Sequence, residues 1–236
     1  MSYPGDFKQR FARQIVIPEI GEVGQKKLCE AKVLIVGCGA LGSMVAMQLG
    51  AAGVGTIGIA DYDNVEISNL QRQFFFATHD AGTPKVDVIA NRLKELNPNV
   101  NISIYKEFLS FRKAEDIFND YDFIVDATDN PDSKKMIGEV AFNRRKACCI
   151  GGVSDFGGQI ITLLPGDSRF EDYFGISLAD GFLPCSLGGV LGPAAALCAS
   201  IQASETIKFL TDSGKLLSGC LLTFNLLDNT FKVFSL

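Results

Sequence analysis

A glycine-rich loop between an apolar run and a small-residue helix pattern constrains the fold of this chain more than any other feature. The loop has the sequence GCGALG at residues 37–42, with the apolar run at 33–36 before it and the helix pattern at 43–53 after it. A phosphate-binding loop needs this order of strand, turn and helix, because glycines allow a tight turn and let backbone amides approach an anion. The sequence therefore predicts nucleotide binding by four loop residues: Gly37, Gly39, Leu41 and Gly42.

Composition and hydropathy patterning predict one α/β domain over residues 1–236. The chain is 47% hydrophobic, which at this length suffices for one full core. The early strand patterns are continuously apolar, as is typical of parallel strands covered on both faces. We therefore expect a Rossmann-like, doubly wound α/β fold whose mostly parallel sheet is extended by antiparallel C-terminal strands. Strands are predicted at 32–37, 56–61, 101–105, 123–126, 147–151, 159–164, 221–225 and 231–234, and the main helices at 43–53, 83–97, 133–146 and 193–210.

Charge and cysteine content exclude several classes of protein. The net charge of −5 argues against nucleic-acid binding, which needs clustered lysine and arginine in excess. The seven cysteines are odd in number and include no CxxC pair, which indicates reduced thiols and a cytoplasmic location. No apolar stretch reaches the roughly 18 residues that a membrane span needs. We therefore expect a cytoplasmic protein that binds neither nucleic acid nor a membrane.

The polar loop after the second predicted strand separates two nucleotide chemistries. Asp61 ends that strand and suits a ribose hydroxyl in a dinucleotide fold, so a dehydrogenase fits up to this point. The following loop and helix start add four more candidate phosphate ligands: Asn69, Arg72, Gln73 and Lys85. Two cations beside a helix-amide anion site indicate more phosphate charge than a pyrophosphate bridge carries. The alternative is that Arg72 and Lys85 are solvated surface charges.

A second acidic motif follows the fourth predicted strand. The sequence DATDN at residues 126–130 lies at the carboxyl end of that strand, where ligands bind in parallel sheets. Asp129, one step into the loop, is placed to bind Mg²⁺ with triphosphate oxygens completing the coordination shell. The alternative is that Asp129 and Asn130 only cap the helix that starts near residue 132.

These motifs occur in the order found in one protein family. The ordered set is RFARQ at 10–14, GCGALG, DYD at 61–63, SNLQRQ at 68–73, PK at 84–85, DATDN and GVLGP at 189–193. On these residues the chain resembles the ubiquitin-activating superfamily and, within it, the bacterial sulfur-carrier adenylyltransferases of the ThiF, MoeB and HesA group. The resemblance covers about residues 7–210. It implies a homodimer that binds ATP and Mg²⁺ and adenylates the C-terminal Gly-Gly carboxylate of a small ubiquitin-like sulfur-carrier protein, releasing pyrophosphate in thiamine- or molybdopterin-type sulfur transfer.

The resemblance also implies roles for single residues. Gly39 and Asp61 would hold the nucleotide and its ribose, and Asp129 would hold the metal. The phosphates would contact Asn69, Arg72 and Lys85, and Arg13 would reach the ATP of the other subunit. The remaining nucleotide-binding residues are Asp63, Gln73, Thr128 and Asn130. The same resemblance divides the chain into an N-terminal helical segment at 7–31, a nucleotide-binding half at 32–151 and a carrier-binding half at 152–236.

The chain departs from many members of this family in its cysteines. Those members carry two CxxC pairs that form a structural zinc site, and neither pair occurs here, so no zinc is expected. Cys185 aligns with a crossover-loop cysteine that joins the carrier through sulfur in thiamine-type relatives. We include Cys185 with the candidate catalytic residues, although no neighbour in the sequence predicts the lowered pKa of a reactive thiol.

Two other functions stay open at this point. One is a related enzyme that activates a peptide, another carboxylate or a modified nucleoside of RNA, although the acidic net charge argues against RNA. The other is an NAD-dependent oxidoreductase, which would explain the glycine loop and Asp61. That function leaves the cations of the following loop and Asp129 without a role.

Overall fold

One eight-stranded sheet organises the part of the chain that the structure, a computed structural model, describes: residues 7–168 and 188–236. The strands follow the order β3-β2-β1-β4-β5-β6-β7-β8 across the sheet. Their bounds are β1 Lys32–Val36, β2 Thr56–Ala60, β3 Asn101–Tyr105, β4 Phe123–Asp126, β5 Ala147–Ser154, β6 Gly157–Leu163, β7 Cys220–Asn225 and β8 Thr230–Ser235.

The sheet is parallel in its first half and antiparallel in its second. Strands β1 to β5 pair in parallel, whereas β5 with β6, β6 with β7 and β7 with β8 are antiparallel. The predicted Rossmann-like fold with antiparallel C-terminal strands is therefore confirmed. The first strand, β1, has β2 on one side and β4 on the other, so the strand order reverses there. Ligands bind at the carboxyl ends of the strands at such a reversal.

Eight α-helices surround the sheet within the described residues. Their bounds are α1 Phe7–Arg10, α2 Ala12–Ile15, α3 Gly21–Glu30, α4 Ala40–Ala52, α5 Lys85–Leu96, α6 Phe111–Phe118, α7 Pro131–Asn143 and α8 Gly192–Thr211. The N-terminal segment at 7–31, which was expected to be helical, contains three short helices. Helix α5 begins after its predicted start at residue 83, because Pro84 occupies the N-cap position with a non-helical backbone.

The sequence analysis missed α6. This helix has only two turns, and the Ser110 side chain accepts a hydrogen bond from the Lys113 amide at its start. The segment is amphipathic, but eight residues offer few periodic positions from which a helix can be predicted. Strand β5 also continues to Ser154, beyond its predicted end at 151, because it forms a hairpin with β6.

Two hydrophobic layers cover the sheet, as a doubly wound fold requires. The β1 side chains alternate between them: Val33 and Ile35 face one layer, and Leu34 and Val36 the other. The first layer holds apolar side chains of α4, α5 and α8, and the second those of α6 and α7. Apolar packing on both faces explains why the two central strands are apolar over most of their length, at Val33–Val36 in β1 and Phe123–Val125 in β4. In the described ranges, no helix combines the length and apolar character that crossing a membrane requires.

Glycine at position 42 is required by close packing at the start of α4. A Cβ atom there would lie 1.8 Å from the carbonyl oxygen of Gly37, which no side-chain movement can relieve. At Gly189, by contrast, the nearest atom to an added methyl group would be a side-chain oxygen of Asp155 at 3.7 Å.

We expect Gly42→Ala to lower the free energy of unfolding by about 1–3 kcal/mol or more. The new methyl group would collide with the Gly37 carbonyl and displace the backbone. Urea denaturation followed by circular dichroism measures this change. Gly189→Ala is the matched control and should unfold like the wild type. Equal stability of the two variants would contradict the packing argument.

Candidate nucleotide and acyl site

A cavity of about 580 Å³ opens at the carboxyl ends of the parallel strands, where the strand order reverses. This volume falls in the range of small-molecule sites. The cavity reaches from the glycine loop to the hairpin between β5 and β6. Of the predicted site residues, those that line it are Gly37, Gly39, Leu41, Asp61, Asp63, Asn69, Arg72, Gln73, Lys85, Thr128, Asp129 and Asn130.

The glycine loop forms one wall of this cavity. Gly37 has a left-handed backbone with φ of 91°, and a Cβ atom there would lie 2.6 Å from the Ala127 carbonyl oxygen. Gly39 is the N-cap residue of α4 and provides no side-chain cap for the first amides of the helix. Those amides and the helix dipole suit an anion. Gly42, although predicted to bind the nucleotide, is not among the lining residues and instead permits the close packing of the loop on α4.

Asp61 joins the end of β2 to the glycine loop. Its Oδ2 atom accepts a hydrogen bond from the Cys38 amide at 2.6 Å, and its Oδ1 atom accepts one from the Asp63 amide at 2.8 Å. Burial raises the pKa of Asp61, and these two amides partly offset the effect. A carboxylate oxygen has more than one acceptor position, so Asp61 keeps capacity for a hydroxyl group in the cavity.

Cys38 packs inside the same loop. Burial raises the pKa of its thiol well above the ordinary value, and the charge of Asp61 raises it further. A thiol of this kind stays protonated and is a poor nucleophile. The structure therefore agrees with a packing role for Cys38.

The two predicted phosphate-binding cations lie on the same wall as Asp61. Lys85 is almost fully buried at the start of α5, and its Nζ atom lies 2.8 Å from Oδ2 of Asp63. Arg72 is half-buried and donates from Nη1 to the Ser68 carbonyl at 3.1 Å. The alternative that both are solvated surface charges is wrong for Lys85, because only 7% of its side chain is exposed.

Two amide side chains complete this part of the cavity. The Oδ1 atom of Asn69 accepts a hydrogen bond from the Glu66 amide at 3.1 Å and so closes the 3₁₀ turn Ile67–Asn69. Gln73 is 3% exposed, and its Oε1 atom is buried without a hydrogen-bond partner among the described residues. A buried unpaired acceptor in a polar cavity indicates a position for a water molecule or a ligand donor.

The loop after β4 places one free carboxylate in the cavity. Asp129 is exposed there, whereas Asn130 caps α7, because its Oδ1 atom accepts a hydrogen bond from the Ser133 amide at 2.8 Å. Asn130 therefore caps the helix and also lines the cavity. Thr128 donates both its amide and its hydroxyl to Oδ1 of Asp126, at 3.1 and 2.6 Å, so its donors are already engaged within the chain.

Sequence analysis missed a buried ion pair under this loop. Asp126 is fully buried, and its Oδ2 atom lies 2.9 Å from Nζ of Lys134 in α7. A lysine in the first turns of a helix is usually solvated, and no pattern in one sequence distinguishes the exception. Only the packing of α7 against β4 and β5 reveals it.

The opposite wall of the cavity comes from the C-terminal half of the chain. It is lined by Ser154, Asp155 and Phe156 at the β5–β6 hairpin, and by Val190. The Asp155 amide donates to the Gly189 carbonyl at 2.7 Å, and the Leu191 amide donates to the Asp155 carbonyl at 3.0 Å. These bonds tie the hairpin to the start of α8. The cavity therefore has two sides: a candidate nucleotide side, formed by the glycine loop and the loops after β2 and β4, and a C-terminal side, formed by the hairpin and the start of α8.

The two remaining predicted catalytic residues are Arg13 and Cys185. Arg13 is exposed on α2 and is not a lining residue. Cys185 lies outside the described residues. Within those residues, no three side chains of histidine, cysteine, aspartate or glutamate form a group that could hold a metal ion by themselves. A magnesium ion held jointly with a triphosphate does not need such a group.

Comparisons with known proteins identify the family of this chain. Residues 11–236 match the ThiF family. The chain is 36% identical over 230 residues to a protein of Thermus thermophilus named sulfur carrier protein adenylyltransferase, covering 94% of this chain and 85% of the relative. It is 35% identical over 229 residues to a protein of Gracilaria tenuistipitata named probable molybdopterin-synthase adenylyltransferase, covering 97% of this chain and 64% of the relative. A third relative, the adenylyltransferase and sulfurtransferase uba4 of Emericella nidulans, is 39% identical over 221 residues.

The relatives differ in length from this chain, and solved structures share its fold. The match to the Emericella protein covers 89% of this chain but only 46% of that relative. A crystal structure of PaaA superimposes with a TM-score of 0.83 at 25% identity, covering 99% of this chain and 74% of that one. A crystal structure of Escherichia coli MccB with ATP has a TM-score of 0.84 at 22% identity, covering 98% and 73%, and shows the shared fold alone. By sequence match over nearly its whole length, the chain belongs to the ThiF family.

Proposed function

We propose that this protein is an ATP-dependent adenylyltransferase that acts on the C-terminal Gly-Gly carboxylate of a small ubiquitin-like sulfur-carrier protein. The observation that carries the proposal is one cavity in which the glycine loop, Arg72, Lys85 and Asp129 face a wall built by the C-terminal strands. Relatives above 30% identity named as sulfur carrier or molybdopterin-synthase adenylyltransferases support it. The thiamine or molybdopterin pathway, and a cytoplasmic location, stay predictions.

The nucleotide side of the cavity offers groups that suit each part of ATP. The uncapped amides of α4 suit a phosphate group, Asp61 suits the ribose, and the two cations neutralise the triphosphate. The single exposed carboxylate of Asp129 is a suitable donor for Mg²⁺, which binds through one or two carboxylates together with phosphates and water. When bound there, the metal would neutralise negative charge on the phosphates.

The reaction joins two anions, and the cations of the cavity make this possible. A carboxylate oxygen of the carrier forms a bond to the α-phosphorus, the bond from that phosphorus to the bridging oxygen breaks, and pyrophosphate leaves with the electron pair. Arg72 and Lys85 stabilise charge that moves onto the leaving group. No protein base is required, because the attacking carboxylate is already ionised at neutral pH.

The carrier would bind on the C-terminal side. Its tail would enter beside the β5–β6 hairpin, and its globular body would dock on the exposed face of the last strands. Large apolar side chains lie exposed on β8 and in the turn before it, among them Leu227, Phe231 and Val233. Docking would remove this apolar surface from water, which is favourable. The division into a nucleotide-binding half at 32–151 and a carrier-binding half at 152–236 is part of this proposal.

We further propose that the enzyme is a homodimer in which Arg13 completes the partner's site. Arg13 is exposed and does not line the cavity of its own chain, so it needs a second chain to contact the ATP phosphates. Exposed apolar residues near it in the sequence, Val16, Ile17 and Val23, suit a buried interface. The Arg13 assignment rests on the family resemblance and on this geometry together.

The alternative functions have less support. Activation of a peptide carboxylate would use the same cavity, but the MccB structure with ATP shares only 22% identity and shows the fold alone. An NAD-dependent oxidoreductase would leave the cations near Asp61 without a role. A covalent role for Cys185 and the absence of zinc stay predictions from the sequence.

The nucleotide assignment predicts selective binding of ATP. We expect isothermal titration to show binding of ATP with Mg²⁺ and none of NAD, because the loop after β2 supplies phosphate-binding cations. AMP is the matched control and should bind more weakly than ATP, since it lacks the phosphates that these cations contact. Tight NAD binding without a response to ATP would contradict the proposed function.

The charge argument predicts the effect of two substitutions. Arg72→Ala and Asp129→Ala should each lower carrier-dependent exchange of pyrophosphate into ATP by about a hundred- to thousandfold, because each removes a group that faces the reacting phosphates. Two exposed residues away from the cavity provide matched controls: Arg112→Ala and Asp120→Ala should keep wild-type exchange. Wild-type activity in a folded Arg72→Ala or Asp129→Ala protein would refute its assigned role.

The dimer assignment predicts recovery of activity in mixed subunits. Inactive Arg13→Ala and Asp129→Ala proteins, dissociated and mixed equally, should recover about a quarter of wild-type activity, since half of the random dimers carry one intact site. A mixture of Arg72→Ala with Asp129→Ala is the control and should stay inactive, because both residues belong to the same chain's site. Native mass spectrometry confirms subunit exchange, and an inactive Arg13 mixture after exchange would exclude a role across the interface.

A further inference from the structure

A buried lysine connects the loop that carries Asp129 to β5, the strand that leads into the hairpin of the opposite wall. Lys134 is 5% exposed, and its Nζ atom donates to three oxygen atoms. These are Oδ2 of Asp126 at 2.9 Å, the Thr128 carbonyl at 2.7 Å and the Gly151 carbonyl at 2.6 Å. An ammonium group has three donors, so all of them are engaged in this network.

Asp126, the first acidic residue of the DATDN motif, is a structural partner in this network. Its Oδ1 atom accepts both donors of Thr128, and its Oδ2 atom accepts from Lys134. Its backbone carbonyl accepts from the side-chain amide of Gln202 at 2.7 Å. Because Asp126 is fully buried with both carboxylate oxygens in use, only Asp129 of the two can face a ligand.

Asp129 depends on this network for its position. Its carboxylate makes no hydrogen bond or ion pair with residues 7–168 or 188–236, so contacts of its own side chain do not fix it. The residue before it, Thr128, is held on its amide and hydroxyl by Asp126 and on its carbonyl by Lys134. The residue that precedes Asp129 is thus held by hydrogen bonds at both its amide and its carbonyl.

We infer that Lys134 is a positioning residue for Asp129 and thereby sets the affinity of the site for the magnesium complex of ATP. The inference rests on the proposed function. Removing the Lys134 ammonium group releases the Thr128 carbonyl and leaves the Asp126 carboxylate without its cation, so the loop before Asp129 loses two of its anchors. Residues that orient metal ligands in this way typically change metal affinity or activity by about 10–100-fold.

The test compares ATP binding with and without Mg²⁺ by isothermal titration calorimetry, in which EDTA removes the metal. The measured quantity is the gain in ATP affinity that Mg²⁺ provides. We expect Lys134→Met to lower this gain about tenfold or more while binding ATP in EDTA like the wild type. A merely structural defect would lower affinity in both conditions.

Three further variants define the mechanism. Lys134→Arg should recover part of the gain, since its guanidinium group keeps the charge and several donors. Lys26→Met is the matched control on an exposed lysine and should match the wild type. In an Asp129→Ala background, Lys134→Met should cause no further loss of the Mg²⁺-dependent gain. If Lys134 acts through Asp129, the effects of the two substitutions are not additive.

Folding of each variant is checked by circular dichroism. If Lys134→Met does not fold, the double variant Asp126→Asn/Lys134→Met replaces it, since it removes the unpaired buried carboxylate together with the cation. The inference would be overturned if the folded variant kept the wild-type gain in ATP affinity from Mg²⁺. It would also be overturned if Lys134→Met lowered that gain as much in the Asp129→Ala background as in the wild type. Failure of the wild-type protein to bind ATP would refute the proposed function itself and the inference with it.

Discussion

Close packing between two loops at the reversal of strand order is the interaction on which the rest of the site depends. The loop after β1 lies against the loop after β4 so tightly that only glycine fits at Gly37, beside the Ala127 carbonyl. Gly42 allows the same loop to pack on the first turn of α4. This packing brings the anion-binding helix start and Asp129 into one cavity, although the two segments are far apart in sequence.

Buried polar groups contact the loop after β4, which carries Asp129. Asp126, Lys134 and Gln202 come from β4, α7 and α8, and they meet under the carboxyl ends of β4 and β5. Such groups are costly to bury unless all of them are hydrogen-bonded or paired. Lys134 meets this condition with three acceptors, and it also joins the nucleotide side of the cavity to the strand that continues into the β5–β6 hairpin.

The electrostatic character of the cavity is local and does not follow from the composition. The chain carries a net charge of −5, yet Lys85 and Arg72 lie together on one wall of the cavity. Asp63 pairs with the nearly buried Lys85 and so positions its ammonium group within the protein itself. The cost of burying this cation is therefore offset within the protein, and the proposed triphosphate would meet a site that is already organised.

The sequence by itself determined the strands, most of the helices and the two motifs of the site, because these depend on local hydropathy periods and on turn residues. It also predicted that the glycine loop, Asp61, Lys85 and Asp129 would gather at one edge of the sheet, since parallel strands end on the same side. Only the tertiary structure decided which role each residue of those motifs has. Gly42 permits close packing, Asn130 caps α7, and Asp126 forms a buried pair with Lys134. The contacts themselves join residues only three to eight positions apart. Whether each contact forms depends on how the loops and α7 pack against the sheet, and local hydropathy patterns do not encode which side chain will be buried there.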